Sequence, residues 1–388
     1  MSSNPLLALK ALGQSIWLDS IRRGHILSGG LAGLVREDGI SGETSNPAIF
    51  EKAIAGSSDY DQAIAKGIAA GLGALEIYEE LAVADIQMAA DVFRSVYEAS
   101  EGADGFVSLE VSPRLAYDTA GTVEEARRLW DRVQRPNLMI KIPGTAEGLP
   151  AIEECLVAGL NVNVTLLFAV PVYEEVATTY VRALERRLAQ GQPVRRLASV
   201  ASFFVSRIDT LADAWIKDAH QQAAGSGRGA EPLSLRGRAA IANAKLAYQS
   251  FRSIFSTPQF LAAAQKGARV QRPLWASTST KDPSYSDVLY VDSLIGPDTV
   301  NTLPFETIDA FRDHGNARLT LEDDLAGARS DLRRLEEAGV SLRAVTDQVL
   351  REGVQKFAEP FERLLQAIET KRLALLGNSP VSRTPPPA

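Results

Sequence analysis

The stretch NLMIKIPGT, residues 137–145, is an apolar run that contains a single charged side chain, Lys141. Its length and composition are those of a buried β-strand, and Pro143, which cannot donate a hydrogen bond to a neighbouring strand, marks the strand end. A buried ammonium group costs several kcal/mol unless it is paired or loses its proton. A lysine at this position therefore needs a physical explanation.

Alternation along the strand separates this lysine from the branched residues. Successive side chains of a strand point to opposite faces, so Met139 and Lys141 share one face. The other face carries Leu138, Ile140 and Ile142. If the branched residues pack under helices, the lysine points to the inside of a closed sheet.

Seven further segments have the character of strands, and segments of helical periodicity separate them. The eight predicted strands are SIWLD (15–19), GISGET (39–44), GFVSLEV (105–111), NLMIKI (137–142), NVNVTL (161–166), ASVASFFV (198–205), RPLWAS (272–277) and TVNTLP (299–304). Alternating strands and helices indicate a parallel sheet. Since no GxGxxG fingerprint follows an early strand, the pattern predicts an α/β fold of the closed (β/α)8 or TIM-barrel type rather than an open sheet.

We predict a single barrel domain over residues 1–374, with additional C-terminal helices. The sequence from residue 319 onward is strongly helical, and Pro360 is expected to kink or start a helix. The Gly-, Ala- and Ser-rich segment 221–234 is typical of a surface loop, within an insertion, 217–236, whose role stays open. Residues 375–388 have the composition of a disordered tail.

Composition excludes several classes of partner. The 388 residues carry a formal net charge of −7 without a long Lys/Arg cluster, which argues against binding to nucleic acid or to an anionic membrane surface. No signal-peptide pattern and no apolar run of membrane-spanning length are found, so we expect a cytoplasmic protein. Periodicity does not distinguish a monomer from a homodimer.

Cysteine and histidine usage gives no sign of a metal centre. The lone cysteine, Cys155, cannot form an intrachain disulfide and is expected to be a small buried apolar residue. The histidines His25, His220 and His314 share no metal-ligand spacing. We therefore expect no bound metal.

Polar side chains recur near the ends of the predicted strands. They are Asp19, Asn46, Glu110, Lys141, Asn163, Thr165, Ser202 and Ser277. In a (β/α)8 barrel the carboxyl ends of the strands form the active-site mouth. The pattern predicts that these side chains meet there.

A lysine in a half-buried, water-poor mouth suits nucleophilic chemistry on a carbonyl group. Burial disfavours the ammonium form and frees the amine to form a Schiff base with a ketone. The protonated imine then stabilises the carbanion that is left when a neighbouring carbon–carbon bond breaks. This is the chemistry of class I aldolases, and it needs no diffusible cofactor.

Such a reaction requires groups that carry protons and groups that hold hydroxyls. Asp19 and Glu110 are candidates for the first role, although two carboxylates near a lysine could also be a plain salt-bridge cluster. Asn46, Asn163 and Ser202 could bind sugar hydroxyls, and Asn163 could instead cap a loop. Thr165 could hold a water between Glu110 and the lysine, or could serve only as a β-branched strand residue.

A phosphate site is predicted from basic residues after the late strands. Arg207 follows Ser202 by five residues, and WASTSTKD (275–282) offers Ser277, Ser279 and Lys281. Loops in this part of a barrel often bind phosphate. Arg207 could alternatively pair with Asp209 or with another helical acid.

Four motifs resemble the transaldolase family. They are TSNPAIF (44–50), SLEVSPRLAYDT (108–119), LMIKIPGTAEGLPAIEE (138–154) and GLNVNVTLLFAVPVYEEV (159–176). The resemblance covers most of the chain and is to the longer bacterial branch, which includes fusions to glucose-6-phosphate isomerase. In shorter transaldolases an arginine stands two residues after the serine that matches Ser277; this chain has Ser279 at that position. The resemblance leaves open which basic residue takes the place of that arginine.

The resemblance implies a role for each matching residue. Lys141 would be the Schiff-base lysine, Asp19 would take the proton from the C4 hydroxyl, and Glu110 would act through a water that Thr165 orients. The residues implied in substrate binding are Asn46, Asn163, Ser202 and Phe204, with Arg207, Ser277 and Lys281 for the phosphate.

The implied activity is transfer of a dihydroxyacetone unit from sedoheptulose 7-phosphate to glyceraldehyde 3-phosphate in the non-oxidative pentose phosphate pathway. The expected partners are therefore sugar phosphates. Two alternatives stay open: a fructose 6-phosphate aldolase that releases free dihydroxyacetone, and a non-catalytic barrel that acts as a scaffold. The resemblance at Glu110 and Phe204 favours transfer over release.

Overall fold

Eight parallel strands close into a barrel in the order in which they occur along the chain. The computed structural model describes residues 4–224 and 231–377. The strands are β1 (Gln14–Leu18), β2 (Gly42–Thr44), β3 (Val107–Glu110), β4 (Leu138–Pro143), β5 (Val162–Leu167), β6 (Ser199–Phe204), β7 (Arg272–Ala276) and β8 (Thr299–Leu303). Each strand pairs with the next, and β1 closes the circle by pairing with β8. The predicted (β/α)8 barrel is confirmed.

Helices connect the strands and cover the outside of the barrel. In chain order they are α1 (Pro5–Ala11), α2 (Arg23–Leu27), α3 (Gly30–Asp38), α4 (Pro47–Ala55), α5 (Asp61–Ala69), α6 (Ala74–Val92), α7 (Arg94–Ala99), α8 (Thr119–Val133), α9 (Gly148–Ala158), α10 (Val170–Ala189), α11 (Ser206–Ala224), α12 (Ala239–Ile254), α13 (Pro258–Ala264), α14 (Leu289–Ser293), α15 (Phe305–His314), α16 (Leu325–Glu337) and α17 (Leu342–Gly377). Short 3-10 turns lie at Pro113–Leu115 and Glu231–Leu235.

The alternation of β4 is as predicted. Every residue of the strand is buried, and Leu138, Ile140 and Ile142 belong to the apolar core. The strand ends at Pro143, whose ring cannot continue the hydrogen-bond ladder. Lys141 lies on the inner face and reaches the mouth at the carboxyl ends of the strands.

On β1, the indole of Trp17 is fully buried against the neighbouring strand β2. Gly42 of the neighbouring strand makes this possible, because a Cβ there would lie 2.6 Å from the indole ring. The indole nitrogen donates to Asp104, 2.8 Å away, and Asp104 also pairs with Arg272 of β7. This ion-paired layer lies toward the amino ends of the strands, where barrel folds carry stability rather than chemistry.

The C-terminal region is helical, as predicted, and the long helix α17 contains Pro360 in its interior. The helix reaches Gly377, so it includes the first residues of the expected disordered tail; residues 378–388 lie outside the described ranges. Part of the expected loop 221–234 is also regular structure. Helix α11 extends to Ala224 and a 3-10 turn begins at Glu231, while 225–230 lie outside the described residues.

None of the helices in the described ranges combines the length and the apolar character that crossing a bilayer would demand. Cys155 lies in the buried core on α9, as expected of a small apolar residue, and burial raises the pKa of its thiol to about 12.

Candidate active site

Lys141 opens into a cavity of about 430 Å³ at the carboxyl ends of the strands. The lining residues come from seven strands or the segments directly after them, and from two helices. They are Asp19, Thr44, Asn46, Lys141, Thr165, Ser202, Phe204, Arg207, Leu274, Ala276, Ser277, Thr302 and Phe357.

Glu110 is the ionic partner of the lysine. The two residues are register partners on the adjacent strands β3 and β4, and Lys141 Nζ lies 3.2 Å from Glu110 Oε2. Both side chains are at most 5% exposed. The same amine donates a hydrogen bond of 3.1 Å to the carbonyl of Ser45. The ammonium group is therefore paired, and this pairing offsets the free-energy cost of burying it.

Burial raises the pKa of the Glu110 carboxyl, and the nearby Lys141 charge opposes that rise. Glu110 Oε1 has no hydrogen-bond partner among the described residues. A carboxyl group with a raised pKa can accept a proton from the lysine more readily than an exposed carboxylate can. The pair is thus suited to proton exchange.

Asp19 lies one residue beyond β1 and borders the same cavity. Its backbone nitrogen donates to the carbonyl of Leu303, which extends the β1–β8 ladder and fixes the aspartate at the mouth. Burial raises the pKa of its carboxyl, while the charges of Lys141 and Arg207 lower it. This is the environment of a carboxyl group that can take up and return a proton.

A chain of hydrogen bonds supports the floor of the cavity. Ser202 Oγ donates to Asn163 Oδ1 over 2.6 Å, and Asn163 Nδ2 donates to Ser108 Oγ over 3.0 Å. Asn163 is the register partner of Lys141, but it is not among the residues that line the cavity. In this structure it orients Ser202, which does line the cavity.

Asn46 has a structural contact in addition to its place in the cavity. Its Oδ1 accepts the backbone N–H of Ile49 over 3.0 Å and so caps helix α4. The cap fixes the side chain, and its amide nitrogen stays available to a ligand.

Thr165 has a buried hydroxyl that finds no hydrogen-bond partner in the part of the chain the structure describes. The register of β5 against β6 shifts between Val164 and Leu167, and Leu166 has a φ of +61°. Such a left-handed residue is strained when it is not glycine, and an irregularity of this kind redirects the side chains near it. The Thr165 hydroxyl, which has no partner among the described residues, can therefore form a hydrogen bond to water or substrate.

Arg207 supplies the positive charge of the cavity on the β6 side. Its guanidinium carbon lies 5.2 Å from the ring centre of Phe204 and 5.7 Å from that of Phe357. Within 4–224 and 231–377 no carboxylate forms an ion pair with it. The alternative pairing with Asp209 is not observed, because Asp209 accepts hydrogen bonds from the Ala240 backbone and from Tyr290.

Ser277 lies beside this arginine. Its φ is +57°, again in the left-handed region, and its Oγ lies 2.9 Å from Ser206 Oγ. The Arg207 guanidinium forms no ion pair among the described residues and lies near two serine hydroxyls. This part of the cavity is therefore a suitable place for a phosphate group.

The family model of transaldolase/fructose-6-phosphate aldolase matches residues 16–368, which span the barrel from the third residue of β1 onward and most of α17. This chain belongs to that family. It is similar to Transaldolase 2 of Nostoc sp., at 50% identity over 96% of this chain and 98% of the relative. It is similar to Transaldolase 2 of Nostoc punctiforme at 51% identity with the same coverage. It also resembles a transaldolase of Acidothermus cellulolyticus, at 47% identity over 94% of this chain and 96% of the relative.

Lys281 lies apart from the other expected site residues of this transaldolase-family chain. It is exposed, its Nζ donates to Ser279 Oγ over 2.6 Å, and it borders a different cleft beside Lys217 and Asp282. It is not among the residues that line the cavity around Lys141.

Three polar or aromatic lining residues were not predicted. Thr44 and Thr302 lie on the inner faces of β2 and β8, and the alternation of those strands was a signal that could have identified them. Phe357 comes from α17, far along the chain, and no local pattern distinguishes it from the other apolar residues of that helix.

The histidines of this family member lie outside the cavity. His25 packs edge-on against Phe305, and His314 pairs with Asp287. His220 lies in helix α11. Among the described residues, no three His, Cys, Asp or Glu side chains are grouped so that they could hold a metal ion.

A larger cavity, of about 770 Å³, lies on the other side of Glu110, between α6, α8 and α17. Its lining is mainly apolar and includes Tyr78 and Phe361. None of its described lining residues is a lysine. The smaller cavity, in contrast, contains Lys141.

Proposed function

We propose that this protein is a transaldolase that moves a dihydroxyacetone unit from sedoheptulose 7-phosphate to glyceraldehyde 3-phosphate through a Schiff base on Lys141. The products are erythrose 4-phosphate and fructose 6-phosphate, as in the non-oxidative pentose phosphate pathway. The observation that carries the proposal is the buried Lys141, which opens into the same cavity as Asp19 and Arg207. Its ionic partner Glu110 is not among the residues that line this cavity and borders the larger cavity beside it. The name shared by the relatives supports the proposal.

The first step requires an uncharged amine. Transfer of a proton from Lys141 to Glu110, 3.2 Å away, supplies that amine, because burial makes the carboxyl a better proton acceptor than usual. The amine attacks the C2 carbonyl of the ketose and forms a carbinolamine. Glu110 then returns the proton to the departing hydroxyl, so that water leaves and an iminium ion remains.

The second step breaks the bond between C3 and C4. Asp19 takes the proton of the C4 hydroxyl, the C4 oxygen forms the aldehyde, and the electrons of the broken bond flow into the iminium to give an enamine. The raised pKa of the Asp19 carboxyl makes it a stronger base than an exposed aspartate. The four-carbon aldehyde phosphate then leaves.

The third step reverses the second with a different aldehyde. The enamine carbon attacks the carbonyl of glyceraldehyde 3-phosphate, and Asp19 returns its proton to the new hydroxyl. Water then hydrolyses the iminium, which frees fructose 6-phosphate and restores Lys141. Arg207 and Ser277 hold the phosphate group of each sugar in turn, at the same edge of the cavity.

The second candidate is a fructose 6-phosphate aldolase, which releases free dihydroxyacetone. The family model includes both activities. Glu110, paired with the lysine, favours transfer, and so does the apolar Phe204 ring in the cavity. An assay with fructose 6-phosphate and no acceptor aldehyde separates the two: a transaldolase turns over slowly without acceptor, and an aldolase does not need one.

The test of the proposal is reductive trapping. Borohydride added with fructose 6-phosphate is expected to leave a stable three-carbon or six-carbon adduct on Lys141, located by peptide mass spectrometry. Lys141→Met is expected to abolish both the adduct and the transfer of the three-carbon unit. An adduct found elsewhere, or unchanged transfer in Lys141→Met, contradicts the proposal.

Lys245 offers a matched control. It is the other lysine that is buried in the described part of the chain, its Nζ donates to the Asp323 carbonyl over 2.6 Å, and burial lowers its pKa. Burial alone would therefore make it reactive too. Lys245→Met is expected to keep the adduct on Lys141, which shows that the cavity and not burial alone selects the nucleophile. Turnover by the purified chain also excludes a purely scaffolding role.

A further inference from the structure

Helix α17 carries one aromatic side chain into the reaction cavity. Phe357 is 4% exposed, and its ring centre lies 5.5 Å from Lys141 Nζ and 5.7 Å from the guanidinium carbon of Arg207. It is the only lining residue that comes from beyond the eighth strand, as far as the described residues go. The ring therefore lies within cation–π distance of both cations of the cavity.

The sequence of α17 lets the helix approach this closely. Gly353 lies one turn before Phe357, on the same face of the helix. A Cβ at Gly353 would lie 3.1 Å from Leu166 Cδ2 and 3.6 Å from Arg207 Nη1, closer than most Cβ contacts in the first case. The glycine thus allows the helix backbone to rest on the mouth of the barrel.

Contacts farther along α17 fix its direction. Arg114 and Glu362 form a two-point ion pair with distances of 2.7 Å, and Arg363 pairs with Glu51. One turn beyond Phe357, the Phe361 ring packs edge-on against Tyr78, 5.4 Å between centres. Exposed ion pairs contribute little stability, but together with the aromatic contact they specify where the helix lies.

Shielding matters most for the enamine that forms after carbon–carbon cleavage. Its nucleophilic carbon has two fates. It can attack an acceptor aldehyde, or it can take a proton from water, after which hydrolysis of the imine releases dihydroxyacetone. An apolar ring above Lys141 has no group that delivers a proton, and it excludes water from the space above the lysine.

We infer that Phe357 is a specificity-determining residue. Its ring forms a roof over the enamine intermediate and slows protonation by water, so that the enamine reacts with a sugar-phosphate aldehyde instead. The inference rests on the proposed function and goes beyond it. It assigns a role in the balance between transfer and release to the C-terminal helix, outside the eight strands.

The experiment compares Phe357→Leu and Phe357→Ala with the natural protein, after thermal melting has shown which variants fold. Two rates are measured from fructose 6-phosphate: transfer to added erythrose 4-phosphate, and release of dihydroxyacetone without acceptor. The release-to-transfer ratio is expected to rise in the order Phe, Leu, Ala, by about tenfold at Ala, which corresponds to about 1.4 kcal/mol of relative barrier height. In D2O the released dihydroxyacetone is expected to carry one deuterium on carbon.

Phe255→Ala is the matched control, because it removes a buried aromatic ring that packs against Phe251 and Phe260 and does not line the cavity. Its release-to-transfer ratio is expected to equal that of the natural protein. Borohydride trapping on Lys141 is run in parallel with every variant. If the natural protein gives no adduct, the proposed function fails and the roof with it. If the adduct forms but the release-to-transfer ratio is the same in all folded Phe357 variants, the inference about Phe357 is contradicted and the proposed function is not.

Discussion

The Lys141 amine and the Glu110 carboxylate form an ion pair of 3.2 Å between the register partners of β4 and β3. Glu110→Gln keeps the size of the side chain but removes its capacity to take a proton. We expect the rate of Schiff-base formation to fall by about 10²- to 10⁴-fold, the usual contribution of general acid–base catalysis. Quench-flow borohydride trapping measures that rate.

The pH profile gives a second measure of the same residue. Since burial raises the pKa of Glu110, the acidic limb of kcat/KM is expected to lie at higher pH than an ordinary glutamate would give, and Glu110→Gln is expected to change that limb. Glu125→Gln is the control. Glu125 borders the larger cavity and accepts the backbone N–H of Ser112, which a glutamine can also do. An unchanged profile in Glu110→Gln would exclude Glu110 as the proton carrier.

Asp19→Asn is expected to separate imine formation from bond cleavage. The substitution removes the base that accepts the C4 hydroxyl proton and leaves Lys141 and Glu110 in place. We expect kcat for transfer to fall by about 10²- to 10⁴-fold, whereas trapping of dihydroxyacetone on Lys141 by borohydride stays near its natural rate. Loss of both activities to the same degree would contradict this division of roles.

Arg207→Ala is expected to weaken the use of phosphorylated sugars. Hydrogen bonds to charged groups contribute about 1.5–3 kcal/mol, so kcat/KM should fall by roughly 10- to 100-fold with fructose 6-phosphate and much less with unphosphorylated fructose. Lys281→Ala, a charge removed from the neighbouring exposed loop, is expected to have a small effect because its Nζ lies outside the cavity. Equal losses for both sugars in Arg207→Ala would show that the arginine does not recognise phosphate.

Asp209 is expected to make stability depend on pH. Burial raises the pKa of Asp209 from 3.8 to about 7, and the nearby charge of Asp213 adds to the rise. Hydrogen bonds from the Ala240 backbone and from Tyr290 oppose it. The folded protein therefore binds more protons than the unfolded chain between these pH values, and the free energy of unfolding falls as pH rises through that window.

Asp209→Asn removes this titration and keeps an oxygen for the Ala240 backbone. Urea denaturation at several pH values from 4 to 8 should show a flatter profile for the variant, with a difference of up to a few kcal/mol at roughly 1.4 kcal/mol per pKa unit. Asp218→Asn, at an exposed position of the same helix, should keep the natural slope. Parallel profiles for Asp209→Asn and the natural protein would contradict the prediction.

The strands, and the separation of Lys141 from the branched residues of its own strand, follow from local sequence. A period of two separates Met139 and Lys141 from Ile140 and Ile142 whatever the rest of the chain does. Strand bounds were less well defined: β2 covers only Gly42–Thr44 of the predicted 39–44, because edges of short strands depend on which neighbour they pair with.

Roles that depend on partners could not be read from the sequence. Asn46 caps α4 as well as bordering the cavity, and Asn163 orients Ser202 from below it, because hydrogen-bond partners are chosen by three-dimensional proximity. Lys281 follows β7 in a loop that we predicted to bind phosphate, yet it borders another cleft.

The sequence by itself determined the barrel and the chemistry of its inner face, because side-chain alternation and strand spacing are local properties. The tertiary structure alone decided that Glu110 lies within ion-pair distance of Lys141, that Thr165 has a bare hydroxyl, and that Phe357 roofs the cavity. The reason is that these contacts join segments far apart in the chain, and only barrel closure and the packing of α17 bring such segments together.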